Sequence, residues 1–225
     1  PSIVYTPLNG TGLIPVEKIF KKIGITDYTV VPEQKYPDGN FPTCPYPNPE
    51  FKEALEKAIE TAEKNNAELI IASDPDADRT GVAFREKNGE YRLLNGNEAG
   101  ALLVYFILAT KKAQNTIPDK PFIISTIVTS PLPEKIAESF GVETINVLTG
   151  FKYIGEAIDK NPDKNFVFGM EESIGYLVGA HARDKDSISA AMTFAEAACY
   201  YKTLGLSLSD ALEFLYGLSL IHISE

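Results

Sequence analysis

The chain has 225 residues, 44% of them apolar, enough to bury one large core or two modest ones. Its 31 acidic residues outnumber 21 basic ones, and a net charge of −10 repels a phosphate backbone, so nucleic acid is not an expected partner. Cys44 and Cys199 lack the spacing of a disulfide framework or a zinc site, and the longest apolar run, residues 99–109, is too short for a bilayer; the expectation is a cytoplasmic protein without membrane contact.

Ile3-Val4-Tyr5 reads as a strand, Thr6-Pro7-Leu8-Asn9-Gly10-Thr11-Gly12 as a glycine-rich loop, and residues 15–22 as an amphipathic helix stopped by Gly24. Thr29-Val30-Val31 is a second strand. Prolines 32, 37, 42, 45, 47 and 49 then break all periodicity, which predicts a loop. Asn48-Pro49 starts a helix whose buried stripe is Phe51, Leu55, Ala58, Ile59 and Ala62, with Glu53–Lys57 and Glu60–Lys64 pairs outside and Asn65-Asn66 at its end. Leu69-Ile70-Ile71-Ala72 is the fully apolar strand of a sheet covered on both faces.

Residues 110–121 are polar, lysine-rich and bounded by Pro118 and Pro121, the expected boundary between domains. Beyond it the pattern repeats: a strand over 122–128, a turn, and a helix over 133–140 ended by Gly141. Glu17-Lys18-Ile19 and Glu134-Lys135-Ile136 each begin seven residues before a glycine, which we read as a duplicated strand-loop-helix unit. Residues 165–168 form another apolar strand leading into an acidic loop. Both halves thus set carboxylates just beyond the carboxyl end of a strand, where open α/β sheets bind ligands. Residues 188–202 read as an Ala-rich helix, and Ser207 with Asp210 as the start of another. Residues 218–225 show neither helix nor sheet logic and could be an appended tail; His222 within them is read as inert.

The most informative segment is Ser73-Asp74-Pro75-Asp76-Ala77-Asp78-Arg79. Pro75 excludes a helix, and an extended loop would put the three alternate carboxylates on one side. Gathered carboxylates are costly unless a hard divalent cation neutralises them, and all-oxygen donors favour magnesium, manganese or calcium over zinc. The plain alternative is a solvated turn. An EF-hand fails, because Arg79 and Arg85 stand where its glycine and bidentate glutamate are required. A haloacid-dehalogenase-like phosphatase using Asp74 as nucleophile is the enzymatic alternative.

Residues 73–79 resemble the metal loop of the α-D-phosphohexomutases, the phosphoglucomutase and phosphomannomutase family. Further segments agree in order: Thr6 to Gly12, Pro37-Asp38-Gly39-Asn40-Phe41-Pro42-Thr43, Pro47-Asn48-Pro49-Glu50 and Leu94-Asn95-Gly96-Asn97-Glu98 with its second domain. Leu148-Thr149-Gly150-Phe151-Lys152-Tyr153-Ile154-Gly155, Met170-Glu171-Glu172-Ser173-Ile174-Gly175-Tyr176 and His181-Ala182-Arg183-Asp184-Lys185-Asp186 agree with its third. The resemblance implies that Asp74, Asp76 and Asp78 bind Mg2+ beside a phosphate carried by a catalytic serine. Arg79 then acts electrostatically on phosphate, and Lys152 and His181 are catalytic candidates. Glu171 and Ser173 hydrogen-bond sugar hydroxyls, and Arg183 and Lys185 supply charge to a phosphate.

The expected fold is α/β: two three-layer α/β/α domains of duplicated topology with mixed, mostly parallel sheets. Residues 1–114 form the metal-binding domain, 115–217 the sugar-binding domain, and 218–225 the tail. The implied reaction interconverts the 1- and 6-phosphates of glucose or mannose through a phosphoserine and a bisphosphorylated sugar. Neither the family's Ser-His-Asn-Pro-type serine loop nor its Arg-x-Ser-Gly-Thr-Glu-type phosphate loop occurs here. The phosphoserine domain and the C-terminal phosphate-binding domain are therefore the expected partners within one longer chain, and this chain alone is expected to be inactive. Met170 and Ser187 stand where the family commonly has glycine, or glycine or alanine. A non-catalytic module binding metal or sugar phosphate is the alternative from outside enzymology.

Overall fold

The structure, a computed structural model, describes the backbone of residues 1–221 and the side chains through residue 217. The β-branched and aromatic runs form the central strands. In the first sheet β1 (Ile3–Thr6) pairs in parallel with β2 (Tyr28–Val30) on one side and β3 (Leu69–Ser73) on the other. β3 turns back into antiparallel β4 (Thr80–Arg85), which pairs with antiparallel β5 (Tyr91–Leu93), giving the order β2-β1-β3-β4-β5.

Side chains alternate across this sheet. Val4, Ile70, Ala72 and Ala83 meet Leu55, Ala58 and Ala62, the latter two on α2 (Glu56–Lys64). On the other face Tyr5 meets Phe20 of α1 (Leu13–Lys22) edge-on at 6.3 Å, and α1 packs beside α6 (Ser187–Thr203). Helices on both faces leave β1 and β3 fully buried, as their uninterrupted apolar character requires.

The second sheet repeats the plan. β6 (Pro121–Thr126) lies parallel to β7 (Glu143–Val147) and β8 (Asn165–Glu171), and β8 turns into antiparallel β9 (Gly175–Val178), in the order β7-β6-β8-β9. α5 (Phe151–Lys160) buries Phe151, Ile154 and Ile158 against Phe122, Ile124 and Leu177. Tyr176, one residue out of phase with Leu177, points to the opposite face, where its hydroxyl donates to the Gly96 carbonyl of α3 (Gly96–Ala113) at 3.1 Å. α3 also packs on α4 (Leu132–Ser139). The α/β class, the mixed sheets and the duplicated topology therefore match expectation.

Packing divides the chain into Pro1–Leu94 with Ser187–Ser209, and Asn95–Asp186 with the chain from Asp210 on. This differs from the boundary at 114/115 drawn from the polar linker, because α3 is apolar nearly all round and buries itself on β8 and α4. α6, late in sequence, packs on α1, β3 and β4.

Phe51 is 55% exposed rather than buried, since Lys52–Leu55 is a short 3-10 turn and α2 begins only at Glu56. Lys57 pairs with Glu60 at 2.9 Å instead of with Glu53. β6 ends at Thr126, leaving Ile127 and Val128 exposed. α7 (Leu208–Ile221) runs through the start of the expected tail, while residues 222–225, and so His222, lie outside the described residues. Among the described residues no helix is long and apolar enough to cross a membrane.

Candidate functional site

Residues 74–79 close the β3–β4 hairpin above the pair Ser73↔Thr80. The loop is wound rather than extended, which corrects the sequence argument while keeping its outcome. Ala77, left-handed at φ +60, donates its N–H to the Asp74 carbonyl at 3.0 Å. The buried Asp74 accepts at Oδ1 from the backbone N–H groups of Asp78 (3.0 Å) and Arg79 (2.9 Å). This winding gathers one carboxylate oxygen from each of Asp74, Asp76 and Asp78 within 4.8 Å of one another.

Burial pushes the Asp74 carboxyl up to about 7; the Arg79 N–H pulls it down, and the charges of Asp78 and Asp76 push it up again. Arg79 is the nearby counter-charge, its Nε 4.0 Å from both Asp74 Oδ2 and Asp78 Oδ1. Its Nη1 lies 3.8 Å from Glu50 Oε2. Glu50, given no role of its own from sequence, is oriented by Asn48, which donates to its Oε2 at 3.2 Å and accepts its N–H at 3.0 Å. The Pro-Asn-Pro-Glu motif was the available signal. Three carboxylate oxygens gathered within 4.8 Å of one another form an all-oxygen donor set, which fits a hard divalent cation held by Asp74, Asp76 and Asp78.

The topologically equivalent hairpin, β8–β9, carries the other acidic loop, closed by Glu171↔Gly175. Ile174, at φ +56, takes the same left-handed conformation as Ala77. The two adjacent glutamates diverge. Glu171 Oε1 accepts the Gly150 N–H at 2.6 Å, whereas Glu172 Oε2 accepts the Thr126 hydroxyl at 2.9 Å. Gly150 sits at φ +113 directly before α5, so the glycine that starts the lysine-bearing helix also holds Glu171. Ser173 is half-buried in the turn.

Lys185 joins this group: its stem packs on Gly175, where a Cβ would lie 2.4 Å from Lys185 Cδ and 3.6 Å from Glu171 Oε2. Its ammonium lies 5.7 Å from the Phe151 ring centroid and 3.3 Å from Asp184. Arg183 points elsewhere, bonded to Asp159 at 2.8 Å and to the carbonyls of Ala180 and Ala182. Lys152 is exposed with its ammonium over Tyr153, and His181 Nε2 is 2.9 Å from Asp186 Oδ2. Glu171, Ser173 and Lys185 are thus neighbours, while Arg183 is engaged on α5.

Comparison with known proteins adds independent findings. Residues 1–89 match the family model described as phosphoglucomutase/phosphomannomutase, alpha/beta/alpha domain II, and residues 95–216 match the corresponding domain III. A Haemophilus influenzae protein named probable phosphomannomutase is 39% identical over 208 residues, covering 92% of this chain and 41% of its own length. The phosphoribomutase of Saccharomyces cerevisiae is 40% identical over 216 residues, covering 90% of this chain and 34% of its own. The chain thus spans well under half of these relatives. A crystal structure of a phosphoglucomutase/phosphomannomutase family protein from Burkholderia thailandensis superposes with a TM-score of 0.73 at 20% identity, over 95% of this chain and 42% of that one.

Proposed function

The chain belongs to the phosphoglucomutase/phosphomannomutase family, and from that premise we propose that it supplies the metal-holding and sugar-holding parts of an enzyme that moves a phosphoryl group between two hydroxyls of one sugar phosphate. The observation that carries this reading is the convergence of Asp74, Asp76 and Asp78 in a chain of this family. Mg2+ held there would neutralise charge on a phosphoryl group in transfer. The serine that carries this group, and a loop that grips the sugar's other phosphate, belong to further domains of a longer cytoplasmic protein.

Each side chain then has a defined task. Arg79 holds phosphate oxygens electrostatically, since a guanidinium does not give up its proton. Glu171, with Oε1 fixed by Gly150, offers its second oxygen to a sugar hydroxyl, and Ser173 donates to or accepts from a neighbouring one. A carboxylate beside a hydroxyl can hold a diol in either orientation, which a mutase needs when the bisphosphorylated sugar turns round. Lys185 contributes positive charge towards the phosphate, Arg183 braces this segment through Asp159 on α5, and Lys152 and His181 serve proton transfer. Positioning and charge neutralisation supply most of the acceleration.

Glucose and mannose phosphates are the first-choice substrates. The 40% identity to a phosphoribomutase favours a pentose phosphate as a second reading. A phosphatase using Asp74 as nucleophile fits poorly, because that carboxylate is buried and already accepts two backbone N–H groups. The test is turnover of glucose, mannose and ribose 1-phosphates by the full-length protein with Mg2+, with and without Asp76→Asn. Formation of the isomeric phosphate, lost in the variant, is expected. Binding without isomerisation of any of the three would favour a non-catalytic module, and an acyl phosphate trapped at Asp74 would favour the phosphatase.

A further inference from the structure

The glycine-rich segment before α1 has the composition of a phosphate cradle, yet its contacts run to the acidic loop. The Thr11 N–H and hydroxyl both donate to the Pro75 carbonyl, at 2.9 and 3.1 Å. Gly10 lies so close beneath that a Cβ would stand 2.3 Å from Pro75 Cα and 2.4 Å from Pro75 O, an approach that only glycine allows. Two residues before Pro75, at the end of β3, the Ser73 and Tyr5 hydroxyls share a buried 2.7 Å hydrogen bond. On the far side, the Ser187 N–H at the start of α6 donates to the Ala77 carbonyl at 3.1 Å. The three acidic residues occupy positions 74, 76 and 78, and the carbonyls held by other elements are those of 75 and 77. Ligand and anchor therefore alternate.

We infer that Thr11 is a positioning residue for the acidic loop, clamping the Pro75 carbonyl so that Asp76 stays aligned with Asp74 and Asp78 as a pre-assembled cation site. The proline ring fixes φ of Pro75, leaving ψ as its one soft backbone dihedral. Two hydrogen bonds on the carbonyl fix ψ, and with it the direction in which Asp76 leaves the chain. The clamp is itself held rigidly: Leu8 and Asn9 are left-handed at φ +47 and +56. The Thr6 hydroxyl accepts the Leu8 N–H at 3.1 Å and donates to Gln34 at 2.7 Å, and the Asn9 amide donates to the Tyr36 carbonyl at 2.9 Å. Thr11 is exposed, so its hydroxyl adds little to the core and its removal reports on the loop.

This inference rests on the acidic loop being a metal site, and the test separates the two. Mn2+ binding to the chain is followed by the loss of the free-ion electron paramagnetic resonance signal, with thermal melting of the metal-free protein measured in parallel. Thr11→Val keeps shape but loses the hydroxyl, and should raise the Mn2+ dissociation constant about 3- to 10-fold with little change in metal-free melting. Thr11→Ser should bind as the parent does, and Gly10→Ala, which displaces Pro75, should bind more weakly than Thr11→Val. Equal affinity for the parent and Thr11→Val overturns the clamp and leaves the metal site standing. A parent chain that binds no Mn2+ overturns both.

Discussion

Asp74 is the residue at which folding and metal binding pull in opposite directions. Its carboxyl is raised from the ordinary 3.8 to about 7, chiefly by burial, so the folded chain holds this proton more tightly than the unfolded one. The stabilisation is complete below pH 3.8, is lost as pH rises, and is gone above about 7 in the metal-free protein. Metal binding has the reverse dependence, because the proton competes with the cation: Mn2+ affinity should climb with pH and level off above about 7. Asp74→Asn should abolish binding without lowering the metal-free melting temperature at pH 8; calorimetry and Mn2+ titration across pH 5–8 check both trends. Ser187 offers a separate test. Its hydroxyl is fully buried and finds no hydrogen-bond partner among the described residues. Ser187→Ala should raise stability by about 1 kcal/mol in urea unfolding, since an unsatisfied buried donor costs about 1–3 kcal/mol; a loss of stability would show that the hydroxyl has a partner.

At the scale of elements, Met170 on β8 is accommodated by a glycine on the helix opposite. A Cβ on Gly100, inside α3, would lie 2.2 Å from Met170 Cε. Gly100→Ala should therefore destabilise by about 1–3 kcal/mol through overpacking, although alanine is the better helix former. The same change made with Met170→Ala should cost less than the two single changes added together, as a double-mutant cycle of unfolding energies would register. Elements with a strong local pattern were readable in advance: the all-apolar run of β3, the β-branched run of β6, and the alternation of acidic residues beyond β3. Those whose pattern is weak were not. β7 is a half-exposed edge strand, β5 has three residues, and β4 and β9 are return strands hidden beside conspicuous motifs. The helical phase at Phe51 failed because residues 52–55 form a tighter turn before α2, a preference set by the surrounding loop and not by periodicity. The anchoring of residues 75 and 77 was out of reach altogether, since Thr11 and Ser187 are 64 and 110 positions away from their partners.

For the whole molecule, the two units share one order over four strands, to which the first sheet adds β5, and each places its acidic loop in the same hairpin of that order. A duplicated scaffold has thus been fitted with two different loops, one of three carboxylates and one of a carboxylate with a hydroxyl and a lysine. The split into these units follows packing instead of chain order, which is why the polar stretch before β6 misled: it joins α3 to β6 inside one unit. Because the chain spans only 34–41% of the two relatives compared, the prediction is that it binds Mn2+ yet isomerises no sugar phosphate by itself, and that a full-length protein should do both; a coupled assay for the isomeric phosphate decides. The most direct test is X-ray diffraction from Mn2+-soaked crystals at the manganese absorption edge. One anomalous peak within about 2.0–2.6 Å of carboxylate oxygens from Asp74, Asp76 and Asp78 is the expected result. A peak elsewhere, or none at this loop at millimolar Mn2+, would contradict it.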